Sequence, residues 1–318
     1  MTAPTQPAPR PTRRNAPAPA AALARLGLGD TRVAFGLAGI GGAWGPVDPG
    51  LARETLARAF ELGVAAFDAA PAYGTAEALL GEALRAWRGL RPVVSTKVGR
   101  LAGHDGLDGN YEYSTQGMRD SLARSLDTLG LPAVDLLFLH EPEEVPPAER
   151  PRVAAVLRQM QADGFARRLG LGGGDGPGWD GYLEDGGFDV AMLFRRLDAC
   201  IFDGLVDELP RLRRAGVATY GASPLHMGLL GSRNEEFLRA PPPWVWPAPV
   251  ARARRLWVLA ERRGLPLPVL AHRFCFSLEE IDRVVIGARS PAELHDAWAA
   301  WQAGPLPADL FDEVCAAQ

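Results

Sequence analysis

Residues 93–100 read Val93-Val94-Ser95-Thr96-Lys97-Val98-Gly99-Arg100, and the β-branched run at their start is typical of a short buried strand. Lys97 is the only lysine among the 34 basic residues of the chain; all the others are arginine. Arginine cannot replace a compact ammonium group of adjustable pKa, because its guanidinium is planar, forked and always protonated. One lysine kept at the end of a predicted strand therefore indicates a functional group, with codon bias as the alternative.

Short apolar runs of the same kind recur along the chain, and segments with the 3.6-residue period of an amphipathic helix lie between them. The runs show no alternation of apolar and polar residues, which indicates a parallel sheet covered on its outside. Eight repeats over about 290 residues predict an α/β fold of the (β/α)8 TIM-barrel type. The predicted strands are Val33–Gly36, Val64–Phe67, Val93–Thr96, Leu136–Leu139, Leu169–Leu171, Val190–Phe194, Val217–Tyr220 and Val284–Ile286. Helices are predicted over Leu51–Leu62, Glu77–Trp87 and Leu205–Arg214, after an N-cap at Ser114 or Thr115, and from about Val250.

The chain is predicted to have a disordered Pro/Ala/Arg-rich leader, residues 1–27, followed by a single barrel domain, residues 28–318. The leader lacks the apolar core of a secretion signal, although an Arg-containing, acid-poor leader is also compatible with a transit peptide. No apolar run approaches the roughly 20 residues that a membrane span needs. A net charge of -4 argues against nucleic acid or an anionic membrane as the partner.

Three cysteines, Cys200, Cys275 and Cys315, are widely spaced and odd in number. They match neither a disulfide framework nor a zinc pattern, so a cytoplasmic location is expected. No cluster of histidine, cysteine and carboxylate residues predicts a bound metal. The expected partner is a small molecule, with neither nucleic acid nor membrane.

Ionisable residues stand at the ends of three successive predicted strands. Asp68, Lys97 and His140 close the second, third and fourth strands, and Tyr73 follows five residues after Asp68. Each alone has an ordinary structural alternative, such as a helix cap or a satisfied polar residue at the rim. Since the active sites of barrel enzymes lie at the carboxyl ends of the strands, we expect the four side chains to share one pocket.

These residue types suit general acid/base catalysis. A tyrosine has an unperturbed pKa of about 10, and the ammonium of Lys97 would lower it by stabilising the phenolate. Asp68 would hold Lys97 charged and in place, while His140 would help to polarise a carbonyl oxygen. No activated serine or thiol suggests covalent catalysis.

The segments that carry these residues resemble the aldo-keto reductase family, and the resemblance extends from about Arg32 to Trp301. The matching segments are Phe67–Gly74, Leu80–Leu84, Ser95–Gly99, Ser125–Gly130 and Val134–His140. The resemblance implies that Asp68, Tyr73, Lys97 and His140 are catalytic. It also implies that Tyr73 donates or accepts a proton during hydride transfer to or from NAD or NADP.

Within that family, Ala222–Leu230 and Pro242-Pro243-Trp244 are similar to the L-galactose dehydrogenase and D-threo-aldose dehydrogenase group, which implies a sugar or polyol-like substrate. His226 is either a substrate- or cofactor-loop residue or a packing residue of its loop. The resemblance implies cofactor contacts at Gly39, Ile40, Asp68, Gly173, Ser223, Leu225, Met227, Gly228, Gly287, Ala288, Arg289 and Glu293. The carboxylate of Glu293 repels a 2'-phosphate and favours NAD, whereas Arg289 could still bind that phosphate.

Two segments depart from the family pattern. The run Phe194–Cys200 lacks the tyrosine expected to stack on the nicotinamide, and Gly172–Asp175 replaces the Ser/Asn pair that holds its carboxamide. Arg195, Arg196 and Asp198 are expected near the pocket mouth, where they either bind a polar substrate or form surface salt bridges.

The predicted function is an NAD(P)-dependent oxidoreductase that resembles aldose 1-dehydrogenases. One alternative is a ketoreductase acting on a modified sugar or secondary metabolite. Another is a catalytically idle cofactor-binding subunit or sensor.

Overall fold

The computed structural model describes residues 9–16, 18–102, 109–173, 177–242, 245 and 247–317. Eight parallel strands close into a barrel in the order β1-β10-β9-β8-β7-β6-β3-β2, and a two-stranded antiparallel hairpin, β4 and β5, lies outside it. The predicted (β/α)8 TIM barrel is therefore confirmed. The strands are β1 Val33–Gly36, β2 Ala66–Asp68, β3 Val93–Val98, β4 Arg100–Leu101, β5 Asn110–Tyr111, β6 Val134–His140, β7 Ala166–Gly172, β8 Val190–Phe194, β9 Ala218–Ala222 and β10 Arg283–Gly287.

Helices surround the barrel, and several begin at caps that the sequence supplies. Asp48 Oδ1 accepts a hydrogen bond from the Leu51 amide at 2.8 Å, and Ser114 Oγ accepts one from Gly117 at 3.0 Å, so Ser114 is the N-cap. The helices are α1 Ala21–Arg25, α2 Ala38–Gly41, α3 Pro49–Glu61, α4 Ala76–Ala86, α5 Thr115–Leu129, α6 Arg150–Ala162, α7 Asp180–Glu184, α8 Glu208–Arg214, α9 Asn234–Arg239, α10 Pro247–Arg263, α11 Leu267–Ser277, α12 Pro291–Gln302 and α13 Ala308–Ala316.

The strands extend beyond the apolar runs that predicted them. β3 continues to Val98 and β6 to His140, because their ladder pairs Lys97 with Phe138 and Val98 with Leu139. Lys97 and His140 are therefore strand residues, one residue before the end of β3 and at the end of β6. The barrel interior is filled by side chains from alternating strand positions, including Leu136, Phe138 and Tyr220.

The described residues of the predicted leader make contacts with the barrel. Arg14 donates hydrogen bonds to the carbonyl oxygens of Leu278, Glu279 and Ile281 at 3.0–3.2 Å. Beyond the last leader proline, α1 places Leu23 against the interior residues of the barrel, fully buried. Burial of this apolar side chain offsets the conformational entropy lost when the segment orders. The domain boundary at residue 28 remains a prediction.

Of the helices in the described ranges, none is both long enough and apolar enough to cross a lipid bilayer. In the same ranges, no group of three or more His, Cys, Asp or Glu side chains is arranged to hold a metal ion.

Candidate active site

The fold brings together the four residues predicted to be catalytic. Asp68 ends β2, Lys97 lies one residue before the end of β3, and His140 ends β6. Tyr73 lies in the loop between β2 and α4, and its ring centroid is 5.6 Å from that of His140 with the two planes almost perpendicular. Because β2, β3 and β6 are neighbours in the barrel, their carboxyl ends place these side chains at one edge.

Lys97 and Asp68 form a buried ion pair. The Nζ atom of Lys97 lies 2.7 Å and 2.5 Å from the two carboxylate oxygens of Asp68, and it also donates to the Ala69 carbonyl at 3.0 Å. Ser95 Oγ donates to Asp68 Oδ1 at 2.7 Å, which fixes the carboxylate from its other side. Burial alone would lower the pKa of Lys97, but interactions with Asp68 and Tyr73 raise it above its ordinary value. Lys97 therefore carries its charge at neutral pH.

Two glycines allow the loop that carries Tyr73 to approach the barrel closely. A Cβ atom on Gly41 would lie 2.1 Å from the Tyr73 carbonyl oxygen, and one on Gly74 would lie 2.4 Å from the Gly41 carbonyl oxygen. Gly74 also has a φ of +58°, in the left-handed region that glycine adopts without steric cost. The Thr75 amide donates to the Gly41 carbonyl at 2.9 Å and joins the two loops. Backbone contact between glycines thus positions Tyr73.

Tyr73 is half-buried, and Lys97 Nζ lies 4.9 Å from the centroid of its ring. Burial raises the pKa of Tyr73 above 10, while the positive charge of Lys97 opposes this shift. The sequence predicted the lowering effect of Lys97 but not the larger effect of burial. The phenol is consequently protonated at neutral pH and is poised to donate a proton.

His140 is neutral at neutral pH. Burial lowers the pKa of His140 well below 6.5, and the charges of Lys97 and Arg100 lower it further. Its Nδ1 atom is buried and has no hydrogen-bond partner among the described residues. An uncharged imidazole carries one N–H group and can donate a hydrogen bond without introducing another positive charge.

A polar cluster beside these residues was missed by sequence reasoning. Arg100 and Glu141 form an ion pair with 3.0 Å between Nη1 and Oε1, and the Tyr111 hydroxyl donates to the other carboxylate oxygen of Glu141. Glu141 directly follows His140 and has a φ of +52°. Arg100 belongs to the segment around Lys97, so the sequence could have placed it near the site. Tyr111 could not be placed in this way, because only the β4–β5 hairpin brings it to Glu141.

The loop after β9 contains four of the predicted cofactor residues, Ser223, Leu225, Met227 and Gly228. All four are half-buried, and Ser223 Oγ accepts a hydrogen bond from the Met227 amide at 2.9 Å. Ser223 and Met227 have φ values of +65° and +57°. The Gly228 amide also donates within the loop, to the Leu225 carbonyl oxygen at 3.0 Å, so the turns are held by their own backbone.

The loop after β10 approaches the loop after β1, as the predicted contacts require. Gly287 is exposed, and no described heavy atom lies within 4 Å of a Cβ built on it, so this backbone edge has room for a ligand. A Cβ on Gly39 would lie 2.8 Å from the carbonyl oxygen of Ala288, which is itself buried. The side chain of Ile40, also predicted to contact cofactor, is 1% exposed and packs in the hydrophobic core. The cofactor contact of Ile40 remains a prediction, because the whole residue is buried.

Glu293 and Arg289 lie together at the start of α12. Glu293 Oε2 accepts a hydrogen bond from the Arg289 amide at 2.9 Å, and Oε1 accepts one from Ser232 Oγ at 2.8 Å. Arg289 Nη2 donates to the Pro46 carbonyl at 2.9 Å. The predicted carboxylate is thus present beside the arginine, but both of its oxygens already accept protein hydrogen bonds.

The loop after β8 differs from its prediction. Asp198 was expected near the pocket mouth, but it is fully buried. Its carboxylate accepts hydrogen bonds from the Cys200 and Ile201 amides, which satisfy it away from water. Arg196 forms ion pairs with Asp203, Asp207 and Glu208, which is the predicted surface alternative.

Arg195 stacks over the ring of Phe194, with its guanidinium carbon 5.1 Å from the ring centroid. Gly173 has a φ of +142° and its amide donates to the Met192 carbonyl at 3.2 Å. Gly174, Asp175, Pro243 and Trp244 lie outside the described residues.

Comparison with known proteins places this geometry in a family. Residues 32–318 match the model of the aldo/keto reductase family. The chain belongs to the aldo-keto reductase family. Members of this family are oxidoreductases that use a nicotinamide cofactor.

Three curated relatives of this aldo-keto reductase match over most of their length. Pyridoxal 4-dehydrogenase of Microbacterium luteolum is 29% identical, with 86% of this chain and 90% of the relative covered. L-Galactose dehydrogenase of Arabidopsis thaliana is 30% identical, with 88% and 86% covered. D-threo-Aldose 1-dehydrogenase of a Pseudomonas species is 27% identical, with 94% and 97% covered. The sequence resemblance to the latter two proteins is therefore confirmed.

The solved structure of glycerol dehydrogenase from Gluconobacter oxydans superposes with a TM-score of 0.73 at 24% identity, covering 90% of this chain and 91% of that protein. This likeness shows the shared barrel fold of the aldo-keto reductase.

Proposed function

We propose that the protein transfers hydride between a nicotinamide cofactor and a sugar-like alcohol or carbonyl compound, as an aldose 1-dehydrogenase does. The observation that carries the proposal is the buried Lys97–Asp68 pair beside the ring of Tyr73. A buried ion pair is costly to maintain, and replacement by apolar residues is often neutral or stabilising. The position of this ion pair against the ring of Tyr73 supports a catalytic role more than a structural one.

Tyr73 acts as the general acid or base. In reduction, its hydroxyl donates a proton to the carbonyl oxygen while a C–H bond forms at the carbonyl carbon, and the π-electron pair moves to the oxygen. Lys97, held by Asp68, stabilises the phenolate that remains. In oxidation, the phenolate accepts the proton of the substrate hydroxyl. When bound, the nicotinamide supplies or accepts the hydride.

His140 orients the substrate oxygen. Its buried Nδ1 has no partner in the described part of the chain, so the tautomer with hydrogen on Nε2 leaves an acceptor, rather than a donor, unpaired. The Nε2–H group then donates to the carbonyl oxygen together with the Tyr73 hydroxyl. Two donors directed at one oxygen stabilise the negative charge that develops there.

Cofactor binding is assigned to the loops after β1, β9 and β10. The open backbone edge at Gly287 and the half-buried loop around Ser223 and Met227 leave room for a dinucleotide at this end of the barrel. NAD is favoured over NADP because the Glu293 carboxylate lies beside Arg289 and offsets the positive potential that a 2'-phosphate would need. The remaining predicted contacts, Gly39, Asp68, Gly173, Leu225, Gly228 and Ala288, belong to the same proposal.

The substrate class is inferred from the relatives and from the polar wall of the site. Two relatives are named as dehydrogenases of galactose and of aldoses. Arg100 and Glu141 place a charged pair next to His140, and planar charged groups of this kind suit recognition of a hydroxyl-rich molecule. All three cysteines are free, which suits a reducing compartment, and we place the protein in the cytoplasm.

A reductase acting on a modified sugar is a second candidate. The observation that favours it is the raised pKa of Tyr73, since a protonated phenol is ready to donate but must first lose its proton to act as a base. A catalytically idle cofactor-binding protein is disfavoured because Asp68, Tyr73, Lys97 and His140 are assembled together.

The experiment is a titration of the purified full chain with NADH and NADPH, followed by turnover assays with aldoses plus NAD(P) and with keto-sugars plus NAD(P)H. We expect binding of NADH and turnover of at least one aldose. Binding of neither cofactor would contradict the proposal. Turnover of keto-sugars alone would select the reductase.

A further inference from the structure

The loop after β9 has an unusual backbone. Five non-glycine residues in the described ranges have positive φ, and Ser223, His226 and Met227 in this loop are three of them. Arg195, in the neighbouring loop after β8, is a fourth. A non-glycine residue in this region is strained, and it persists only where its surroundings impose the conformation.

A buried side-chain pair joins the two loops. The Nδ1 atom of His226 lies 2.8 Å from Oδ2 of Asp198, and the two residues are 4% and 0% exposed. The other carboxylate oxygen of Asp198 accepts hydrogen bonds from the amides of Cys200 and Ile201 at 2.6 Å and 3.2 Å. Asp198 is thus fixed by its own loop and presents one oxygen to the loop after β9.

Further contacts keep the two loops in register. The Arg195 amide donates to the Ala222 carbonyl at 3.4 Å, and Phe194 pairs with Ala222 in the barrel ladder. The His226 amide donates to the Ser223 carbonyl at 2.9 Å, closing a turn within the loop. The side chain of His226 points inward from this turn, so the left-handed backbone at residues 226 and 227 depends on what that side chain binds.

We propose that Asp198 and His226 are positioning residues for cofactor binding, which rests on the assignment of the β9 loop to the cofactor under the proposed function. The hydrogen bond between them holds the loop in the conformation that presents the Ser223, Met227 and Gly228 backbone. Neither side chain is accessible enough to touch cofactor or substrate itself. The loop after β8 thereby stabilises the loop after β9.

Substitutions of His226 separate the hydrogen bond from the packing. His226→Asn keeps an N–H donor close to the position of Nδ1, whereas His226→Phe keeps the ring and loses the donor. We expect the dissociation constant for NADH to rise about 10-fold in His226→Phe, because the loop must then be ordered when cofactor binds. We expect a change below about 3-fold in His226→Asn.

His272→Phe is the matched control. His272 is also a buried histidine, and its Nδ1 bonds to the Pro268 carbonyl within α11, away from the β9 loop. This variant should leave the dissociation constant for NADH unchanged while its unfolding temperature shifts. Loss of packing in general would instead affect both phenylalanine variants alike.

The measurement is cofactor binding by fluorescence titration of each full-length variant, with KM for NADH and kcat at saturating NADH. The proposal requires that His226→Phe raise the dissociation constant and KM while kcat stays within about 2-fold, and that His226→Asn restore binding. It is overturned if His226→Phe binds NADH as the wild type does, if His226→Asn is the weaker binder, or if the loss falls on kcat alone. A wild-type protein that binds neither NADH nor NADPH would instead overturn the proposed function.

Discussion

The Nζ atom of Lys97 lies 2.7 Å from Oδ1 of Asp68, and the two side chains are 1% and 3% exposed. This pair explains why the only lysine of the chain stands at this position. A compact ammonium fits between the carboxylate and the ring of Tyr73, whereas a planar guanidinium needs a wider space and a different set of acceptors. The pair also makes the site sensitive to small changes, because removal of either partner leaves a buried charge.

Lys97→Arg should reduce kcat/KM at least about 100-fold, because the larger cation displaces Tyr73 or Asp68. Asp68→Asn should also lower the free energy of unfolding by about 3 kcal/mol, because it leaves the Lys97 charge buried without its partner. Steady-state kinetics and denaturant unfolding measure these effects. Arg91→Lys is the control, since Arg91 forms a partly exposed ion pair with Asp135. Wild-type turnover in Lys97→Arg would contradict this role of the lysine.

Two buried histidines should make stability depend on pH. Burial lowers the pKa of His140 well below 6.5 and that of His272 to about 4. Below about pH 6.5 the unfolded chain therefore binds protons that the folded chain does not, so the free energy of unfolding falls as the pH decreases. His272 accounts for up to about 3 kcal/mol of this loss by pH 4.

Urea unfolding at several pH values from 8 to 4 measures the slope, and His272→Leu should make it shallower. A His272→Leu slope equal to that of the wild type would show that His272 does not titrate on unfolding.

The leader helix should contribute to stability but not to catalysis. Leu23 is completely buried against interior residues of the barrel. Leu23→Ala should lower the free energy of unfolding by about 2–5 kcal/mol, because it leaves a cavity. The kcat of the folded variant should match the wild type, since the proposed active site lies at the carboxyl ends of the strands.

Arg25→Ala tests the exposed side of the same helix and should change the free energy of unfolding by less than about 0.5 kcal/mol. Equal unfolding curves for Leu23→Ala and the wild type would mean that the helix does not pack on the barrel in solution.

Cofactor preference should respond to the charge of Glu293. Glu293→Gln keeps one acceptor oxygen for the Arg289 amide, and its NH2 group can donate to Ser232 Oγ, but it removes the negative charge. The ratio of the NADPH to the NADH dissociation constant should fall about 5–10-fold, because the negative charge that would repel a 2'-phosphate is then gone. Ser232→Ala leaves the charge in place and should keep the wild-type ratio. An unchanged ratio in Glu293→Gln would assign the preference to another residue.

The fold was largely predictable because apolar periodicity determines it. Val33–Gly36 and Val190–Phe194 were predicted to the residue, while β3 and β6 extend into polar residues that composition alone assigns to loops. The contacts of the leader were not predicted, because its proline content outweighed the few apolar residues, Leu23 among them, that pack on the barrel. Leader packing depends on a surface that local sequence does not reveal.

The candidate site was predictable where its residues end successive strands, as Asp68, Lys97 and His140 do. Contacts between segments that are distant in the sequence were not predictable. Asp198 and His226 are 28 residues apart and belong to different loops, so only the barrel closure shows that they meet. The raised pKa of Tyr73 was not predictable either, because its main cause is burial and the sequence indicates only which charged residues lie nearby.

Hydride transfer by Tyr73→Phe tests the proton-transfer role proposed for Tyr73. This variant retains the ring beside Lys97 and His140 but has no proton to give or take. Stopped-flow oxidation of bound NADH, with whichever substrate the wild type turns over, should slow by at least about 1,000-fold. The dissociation constant for NADH should stay within about 2-fold of the wild type. Hydride transfer at the wild-type rate in Tyr73→Phe would contradict the account.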